Sequence, residues 1–244
     1  MILKKKILIL GSSGLIGGTL CKSLIKQNFL ILVDKKFDIK QKDKLNCVHI
    51  KLDITKSANI KKIINICTKL KVDSVIFCAY PKSNQWGTKF GKLKLNKIND
   101  DINNQLGVPL YLGQEVINFF KKKKGGNLIY LSSIQGVSAP KFEHYKNTNM
   151  TSPIEYSAVK AGIISITRYM AKFCKNMNIR VNCISPGGIK NNQNPKFLKR
   201  YKSDCLNKGM LDVKDIVGTI EFLLSDESKY INGQNIIIDD GWTL

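Results

Sequence analysis

Short, continuous runs of apolar and β-branched residues recur along the chain, and each is followed by a longer stretch with helical spacing. The runs ILIL (7–10), LILV (30–33), CVHIKL (47–52), SVIFCA (74–79), NLIYLS (127–132), RVNCIS (180–185) and NIIID (235–239) read as strands. Their apolar residues are continuous rather than alternating, the pattern of strands covered on both faces. Between them, apolar spacing predicts helices over 15–26, 56–70, 97–122, 154–176 and 212–224. Strand–helix alternation predicts an α/β fold: one doubly wound parallel sheet of about seven strands with helices on both faces. No internal repeat or long polar linker divides the chain, so residues 1–244 read as one domain. The least regular stretches are 80–95, 136–152 and 186–210, and a binding site is expected to use such loops.

Composition narrows the class. A hydrophobic fraction of 43% is ample for a buried core. No run of about 18 apolar residues predicts a transmembrane helix. The opening MILKKKILILGSSGLIGGTLC has the basic residues, apolar run and cysteine of a secretory signal. Its apolar run is broken at once by Gly-Ser-Ser-Gly, and Leu20 stands before Cys21 where cleavage would need a small residue. The seven cysteines form no C-x-x-C pair, and several sit in apolar runs, which suits reduced, buried thiols in a cytoplasmic protein. His49 and His144 have no ligand-spaced partners, so no metal is expected. His144 reads as a loop histidine, and Trp86 and Trp242 as packing residues.

The formal charge of +22, from 40 lysines and arginines against 18 acids, favours anionic partners in general. The lysines are dispersed. Lys4–Lys6 precede a strand, and Lys121–Lys124 close a helix ahead of Gly125-Gly126, where they complement its dipole. Without a nucleic-acid-binding motif, this charge predicts no specific nucleic-acid partner, and nothing points to a membrane.

Candidate chemistry begins at ILILGSSGLIGG. Gly11, Gly14 and Gly17 fall between the first strand and first helix with G-x-x-G-x-x-G spacing. Gly11 permits a tight turn, Gly14 lets a pyrophosphate approach the backbone, and Gly17 lets the helix pack close to the sheet. The turn through Ser13, Leu15 and Ile16 offers N–H groups and the positive end of a helix dipole to a phosphate. Asp34 ends the second strand, where an acid hydrogen-bonds both ribose hydroxyls of NAD and repels the 2′-phosphate of NADP. The adjacent Lys35 and Lys36 soften that choice. Asp53 and Ile54 follow the third strand, within reach of an adenine amino group, and Ala79 ends the fourth.

EYSAVKAG (155–162) places Tyr156 four residues before Lys160, on one helix face. So many lysines make roughly one Tyr-x-x-x-Lys expected by chance. Context gives this pair its weight: the other tyrosines have no lysine at that spacing, and Thr151, Ser152 and Pro153 open its helix. It follows a strand ending in Ser132-Ser133 and precedes Pro186-Gly187.

In this order, GSSGLIG, LD (52–53), LSSIQG, YSAVK, NCISPGGI and INGQNIIIDDGW resemble the short-chain dehydrogenase/reductase family over essentially the full length of the chain. The glycine spacing is similar to the sugar-nucleotide branch; the length and the Tyr–Lys segment resemble the single-domain branch. The resemblance implies a Rossmann-type NAD(P)-binding domain that interconverts an alcohol and a carbonyl. It implies Tyr156 as general acid or base, aided by Lys160 and the positive nicotinamide ring, with Lys160 also binding the nicotinamide ribose. A free tyrosine titrates near 10, so it needs that help near neutral pH. Ser133, with Ser132 as the alternative, would hydrogen-bond the reacting oxygen. Asn104, with Asn103 as the alternative, would support a proton-relay water. Pro186, Gly187 and the backbone of Ile189 would shape the nicotinamide pocket. A homotetramer or dimer is implied, built through helices 97–122 and 154–176.

The chain departs from the family pattern at three places. Phe77-Cys78-Ala79-Tyr80 replaces Asn-Asn-Ala-Gly, putting the asparagine bonds to the sheet in doubt and reshaping the cofactor rim. Asn191 replaces the threonine after PGGI. The segment between Ser133 and Tyr156 is long, and its PKFEHYKNTNMTSP is expected to cover the substrate. This elongated form is similar to enzymes of bacterial surface-glycan and nonulosonate biosynthesis, including flagellin modification, which implies a sugar-like or phosphorylated-sugar substrate. Other readings are a 3-oxoacyl-type carbonyl reductase and a catalytically idle NAD sensor or scaffold.

Overall fold

The computed structural model describes residues 4–37, 46–84 and 86–244. The strands are β1 (Lys6–Leu10), β2 (Phe29–Asp34), β3 (Cys47–Lys51), β4 (Ser74–Phe77), β5 (Gly126–Leu131), β6 (Ile179–Pro186) and β7 (Asn235–Ile238). They form one sheet in the order β3-β2-β1-β4-β5-β6-β7, every pairing parallel. This is the Rossmann-type fold that strand–helix alternation predicts. The helices are α1 (Leu15–Leu24), α2 (Ser57–Leu70), α3 (Leu95–Ile102), α4 (Val108–Lys123), α5 (Ile154–Phe173), α6 (Pro195–Ser203) and α7 (Lys214–Leu224).

Side chains on successive strand residues point to opposite faces. Leu8, Leu10, Ile31 and Val33 therefore pack under α2, α4 and α5, against Ile60, Ile63, Leu112, Val116 and Ile163. Ile7, Ile9, Leu30 and Leu32 pack on the other side, against Leu20 of α1 and Ile216, Ile220 and Leu223 of α7. Two covered faces are why the strand sequences are continuously apolar.

Three elements differ from the sequence expectations. The helix predicted over 97–122 is two helices, α3 and α4, joined by a wide π turn at Asn103–Gly107. Pro109 lacks an N–H for the carbonyl four residues back and Gly107 is a weak helix former, so the regular ladder fails there. The helix predicted to residue 176 ends at Phe173, and Asn176 and Asn178 adopt left-handed backbone at φ 65° and 55°. Within the irregular stretch 186–210 lies α6. Asn194 caps it by accepting a hydrogen bond from Lys196 N–H at 2.8 Å, and Pro195 occupies its first turn.

From β1 the chain adds β2 and β3 on one side, then crosses to β4 on the other. The reversal opens a crevice above the carboxyl ends of β1 and β4, where ligands bind in such sheets. The glycine turn and Ala79 lie at those ends, and Ser132-Ser133 at the neighbouring end of β5. No helix among the described residues is long and apolar enough to cross a membrane.

Candidate active site

The glycine turn is shaped by close approaches. Gly11 has φ +81°, and a Cβ there would come within 2.5 Å of the Ala79 Cα, so the turn presses on the end of β4. A Cβ on Gly17 would fall 2.2 Å from the Gly11 carbonyl oxygen. Gly17 therefore lets α1 close on its own incoming turn, not on the sheet as expected. Gly14 precedes α1 in extended conformation, and no side chain caps the helix. The first-turn N–H groups have no intrahelical acceptor and are available to an anion.

A groove of about 850 Å³ runs from this point. Gly11, Ser13, Gly14, Leu15, Ile16, Asp34, Asp53, Ile54, Ala79, Tyr156, Lys160 and Ile189 all line it, whereas Gly17, Pro186 and Gly187, also expected at the cofactor, do not. Asp34 accepts hydrogen bonds from the N–H groups of Ser13 (3.0 Å) and Lys36 (3.1 Å), which fixes the carboxylate beside the turn. Asp53 Oδ1 accepts from the Thr55 N–H (3.0 Å) and hydroxyl (2.7 Å).

A second cavity, of about 260 Å³, adjoins the groove. Ser133, Gln135, Lys141, His144, Tyr145, Pro186, Gly187, Phe197, Tyr201 and Trp242 are among its walls. Ile16, Ser132, Tyr156 and Ile189 border both cavities, so the phenol stands at their junction.

The two serines have separate roles. Ser132 donates to the Lys160 carbonyl at 2.8 Å, tying the end of β5 to α5. A Cβ on Gly136 would meet the same Lys160 backbone at 2.6 Å, so the turn after β5 abuts the helix. Ser133 is left to the phenol. Burial raises the Tyr156 pKa above its ordinary 10, and hydrogen bonding with the Ser133 side chain draws it back down. Lys160 is buried and donates from Nζ to the Leu131 carbonyl at 2.8 Å. Burial pulls its pKa down to about 8. The expected lowering of the phenol pKa by Lys160 is therefore not supplied by the protein groups alone, because desolvation outweighs them.

Asn104 lies on the π turn, half-buried. That turn packs on α5 through Leu106, whose Cδ2 would be 2.6 Å from a Cβ on Gly162. Asn104 is not among the described residues lining either cavity. Pro186 ends β6 and Gly187 follows it, its N–H donating to the Ile238 carbonyl at 2.8 Å.

Several residues at the site exceed the sequence reading. Tyr80 and Trp86 set their rings edge-on to Tyr156, at centroid distances of 5.6 and 6.0 Å. Trp86 thus packs directly on Tyr156 at the junction of the two cavities. His144 is 3% exposed and bonded through Nε2 to Asp204 Oδ2 at 2.5 Å, so it is a buried wall of the second cavity and not a free loop histidine. Lys141 pairs with the same carboxylate at 3.3 Å, and Arg200 of α6 donates to the Lys146 carbonyl. These bonds dock the long 136–152 segment on α6 and roof the cavity. Gln135 accepts from the Ser152 hydroxyl at 2.7 Å at the near end of the segment.

An extended groove thus meets a second cavity at a buried phenol. A family model described as Enoyl-(Acyl carrier protein) reductase matches residues 34–243. The chain belongs to the short-chain dehydrogenase/reductase family of oxidoreductases. It is 40% identical to the Post-translational flagellin modification protein A of Campylobacter coli, over an alignment of 256 positions that covers all of both chains. It is 28% identical to 3-oxoacyl-(acyl-carrier-protein) reductase FabG of Rickettsia felis, over 97% of this chain and 96% of that one. Among solved structures, a short chain dehydrogenase from Leptospira borgpetersenii with bound NAD+ is similar at a TM-score of 0.91 and 32% identity, over 100% of this chain and 94% of that one. A 4-hydroxyisoleucine dehydrogenase complexed with NADH is similar at 0.84 and 27% identity, over 98% and 99%.

Proposed function

We propose that this protein is an NAD(H)-dependent oxidoreductase that interconverts an alcohol and a carbonyl on a sugar-like or phosphorylated-sugar substrate in surface-glycan biosynthesis. One observation carries the chemistry: Tyr156 borders both cavities, with Lys160 behind it and Ser133 against its hydroxyl. The residues present fit a dinucleotide. The uncapped N–H groups of α1 and the glycines Gly11 and Gly14 of the turn before it suit a pyrophosphate. Asp34, held at the far side of the turn, suits the two hydroxyls of an unphosphorylated ribose and thus NAD over NADP. Structural relatives with bound NAD+ and NADH support the same choice.

Bound in the groove, NAD supplies the hydride acceptor or donor. The chain supplies the proton chemistry. Tyr156 gives a proton to the substrate oxygen in reduction and takes one in oxidation, and the Ser133 hydroxyl hydrogen-bonds that oxygen. Because burial raises the phenol pKa, Tyr156 stays protonated at neutral pH and is ready to act as an acid. Lys160 places positive charge beside the phenol and eases its ionisation. Pro186, Gly187 and Ile189 wall the far side. Asn104 would support the relay from the back of α5.

The second cavity suits a monosaccharide-sized group. It combines hydrogen-bonding side chains (Gln135, Lys141, Tyr145) with a stacked pair of rings, Tyr201 and Trp242, 5.7 Å apart. The full-length flagellin-modification relative supports this class. The Rickettsia relative supports a second reading, reduction of a 3-oxoacyl thioester. Seven free thiols suit a cytoplasmic setting, and exposed apolar residues on α4 and α5 suit a homo-oligomer.

NADH absorbance, followed with phosphorylated and nucleotide-linked sugars and with a 3-oxoacyl thioester, separates these readings. Sugar-dependent turnover is expected. For the active substrate, Tyr156→Phe should retain cofactor binding and lose roughly 100-fold or more in turnover. Turnover unchanged by that substitution removes Tyr156 from the mechanism, and cofactor binding without hydride exchange on any substrate marks an idle sensor.

A further inference from the structure

The ammonium of Lys160 lacks the partner expected of a buried charge. None of the ion pairs among the described residues includes it. One of its three donors goes to the Leu131 carbonyl. The titratable groups facing it are Cys78 beyond β4, Cys183 on β6, and two tyrosines. Burial drives the Cys78 thiol far above its ordinary value and Cys183 to about 11, so both are neutral where the lysine titrates. What remains is aromatic. Lys160 Nζ lies over the ring of Tyr80, 5.4 Å from its centroid, and over the ring of Tyr156 at 5.5 Å. The two rings meet edge to face, and Trp86 backs both, 5.3 Å from Tyr80 and 6.0 Å from Tyr156.

We propose that Tyr80 is a positioning residue for Lys160: its ring and that of Tyr156 form a two-ring bracket that keeps the ammonium charged and aimed at the nucleotide groove. Ring faces carry partial negative charge and stabilise a cation most where water is excluded. Tyr80 does this as a neutral phenol, through its ring face. Tyr80 is 36% exposed at the edge of the groove, and desolvation of its hydroxyl, aided by the nearby Tyr156, Asp101 and Glu155, keeps it neutral by raising its pKa far above 10. Tyr80 stands where the family pattern resembled above has a glycine, and so the bracket belongs to this chain's altered β4 exit. The inference rests on the proposed dehydrogenase reading for its purpose, not for its geometry.

The test is the titration of Lys160 itself, read by NMR on protein labelled with ¹³C at the lysine ε position. The signal is assigned by its loss in Lys160→Arg. Tyr80→Phe keeps a ring face and should titrate as the wild type does. Tyr80→Leu, or Tyr80→Met should the leucine variant not fold, should lower the Lys160 midpoint by about half to one pH unit. The alkaline limb of turnover should move in the same direction. A midpoint in the ring-less variants that is unchanged or raised overturns the bracket, because water entry would then dominate. A titration that moves as expected in a protein without hydride transfer would instead sink the functional reading and leave the bracket standing.

Discussion

With its side chain buried and its pKa drawn down to about 8, Lys160 destabilises the folded state at neutral pH relative to an apolar residue of similar length. A lysine ordinarily titrates near 10.5, so the difference corresponds to roughly 3 kcal/mol at pH values below 8. The sign follows from proton binding. Between about 8 and 10.5 the unfolded chain binds more protons than the folded one, so rising pH favours folding across that window. Wild-type stability relative to Lys160→Met should therefore rise from pH 8 to 10.5 and stay level below it. Parallel thermal melts check this, and a gap that does not change with pH would show that the lysine is not buried as a charge. Ser132 and Ser133 carry a related lesson. As neighbours at a strand end they are indistinguishable in sequence, and only the Ser132 bond to the Lys160 carbonyl frees Ser133 for the phenol.

At the scale of elements, α4 and α5 present apolar side chains outward. Leu110 and Tyr111 of α4 are 44% and 43% exposed, and Tyr169 and Phe173 of α5, one turn apart, are 74% and 57% exposed. A self-association through these helices would cover them. Tyr169→Asp with Phe173→Asp should lower the molar mass measured by light scattering while leaving the melting profile of the subunit cooperative; a wild type that is already monomeric removes this interface. The strands were legible because burial on two faces writes continuous apolar runs. The break between α3 and α4 was not, because apolar spacing continues through Asn103–Gly107 and only Gly107 and Pro109 mark the fault. Helix α6 is short and rich in lysine, so its apolar face is thin, although Asn194-Pro195 was a readable start signal. The Tyr80–Trp86–Tyr156 cluster joins an irregular segment to a distant helix, and no local pattern encodes such a contact.

At the scale of the molecule, sheet order decides where chemistry occurs. The crossing from β3 back to β4 brings the glycine turn, the end of β4 and the end of β5 to one crevice, although they are far apart in sequence. Helix α5 then lays Tyr156 and Lys160 across it, and the long segment docked on α6 closes the far side through His144 and Asp204. The net charge of +22 favours anionic ligands in general. The most direct measurement is a crystal structure grown with NAD+. The expected result is a dinucleotide with its adenosine ribose on Asp34, its pyrophosphate at the start of α1, and its nicotinamide between Gly187 and Tyr156, with the phenol and the Ser133 hydroxyl facing one substrate-sized space. A groove that stays empty at saturating NAD+, or a nicotinamide held away from a phenol turned out of the cleft, would contradict it.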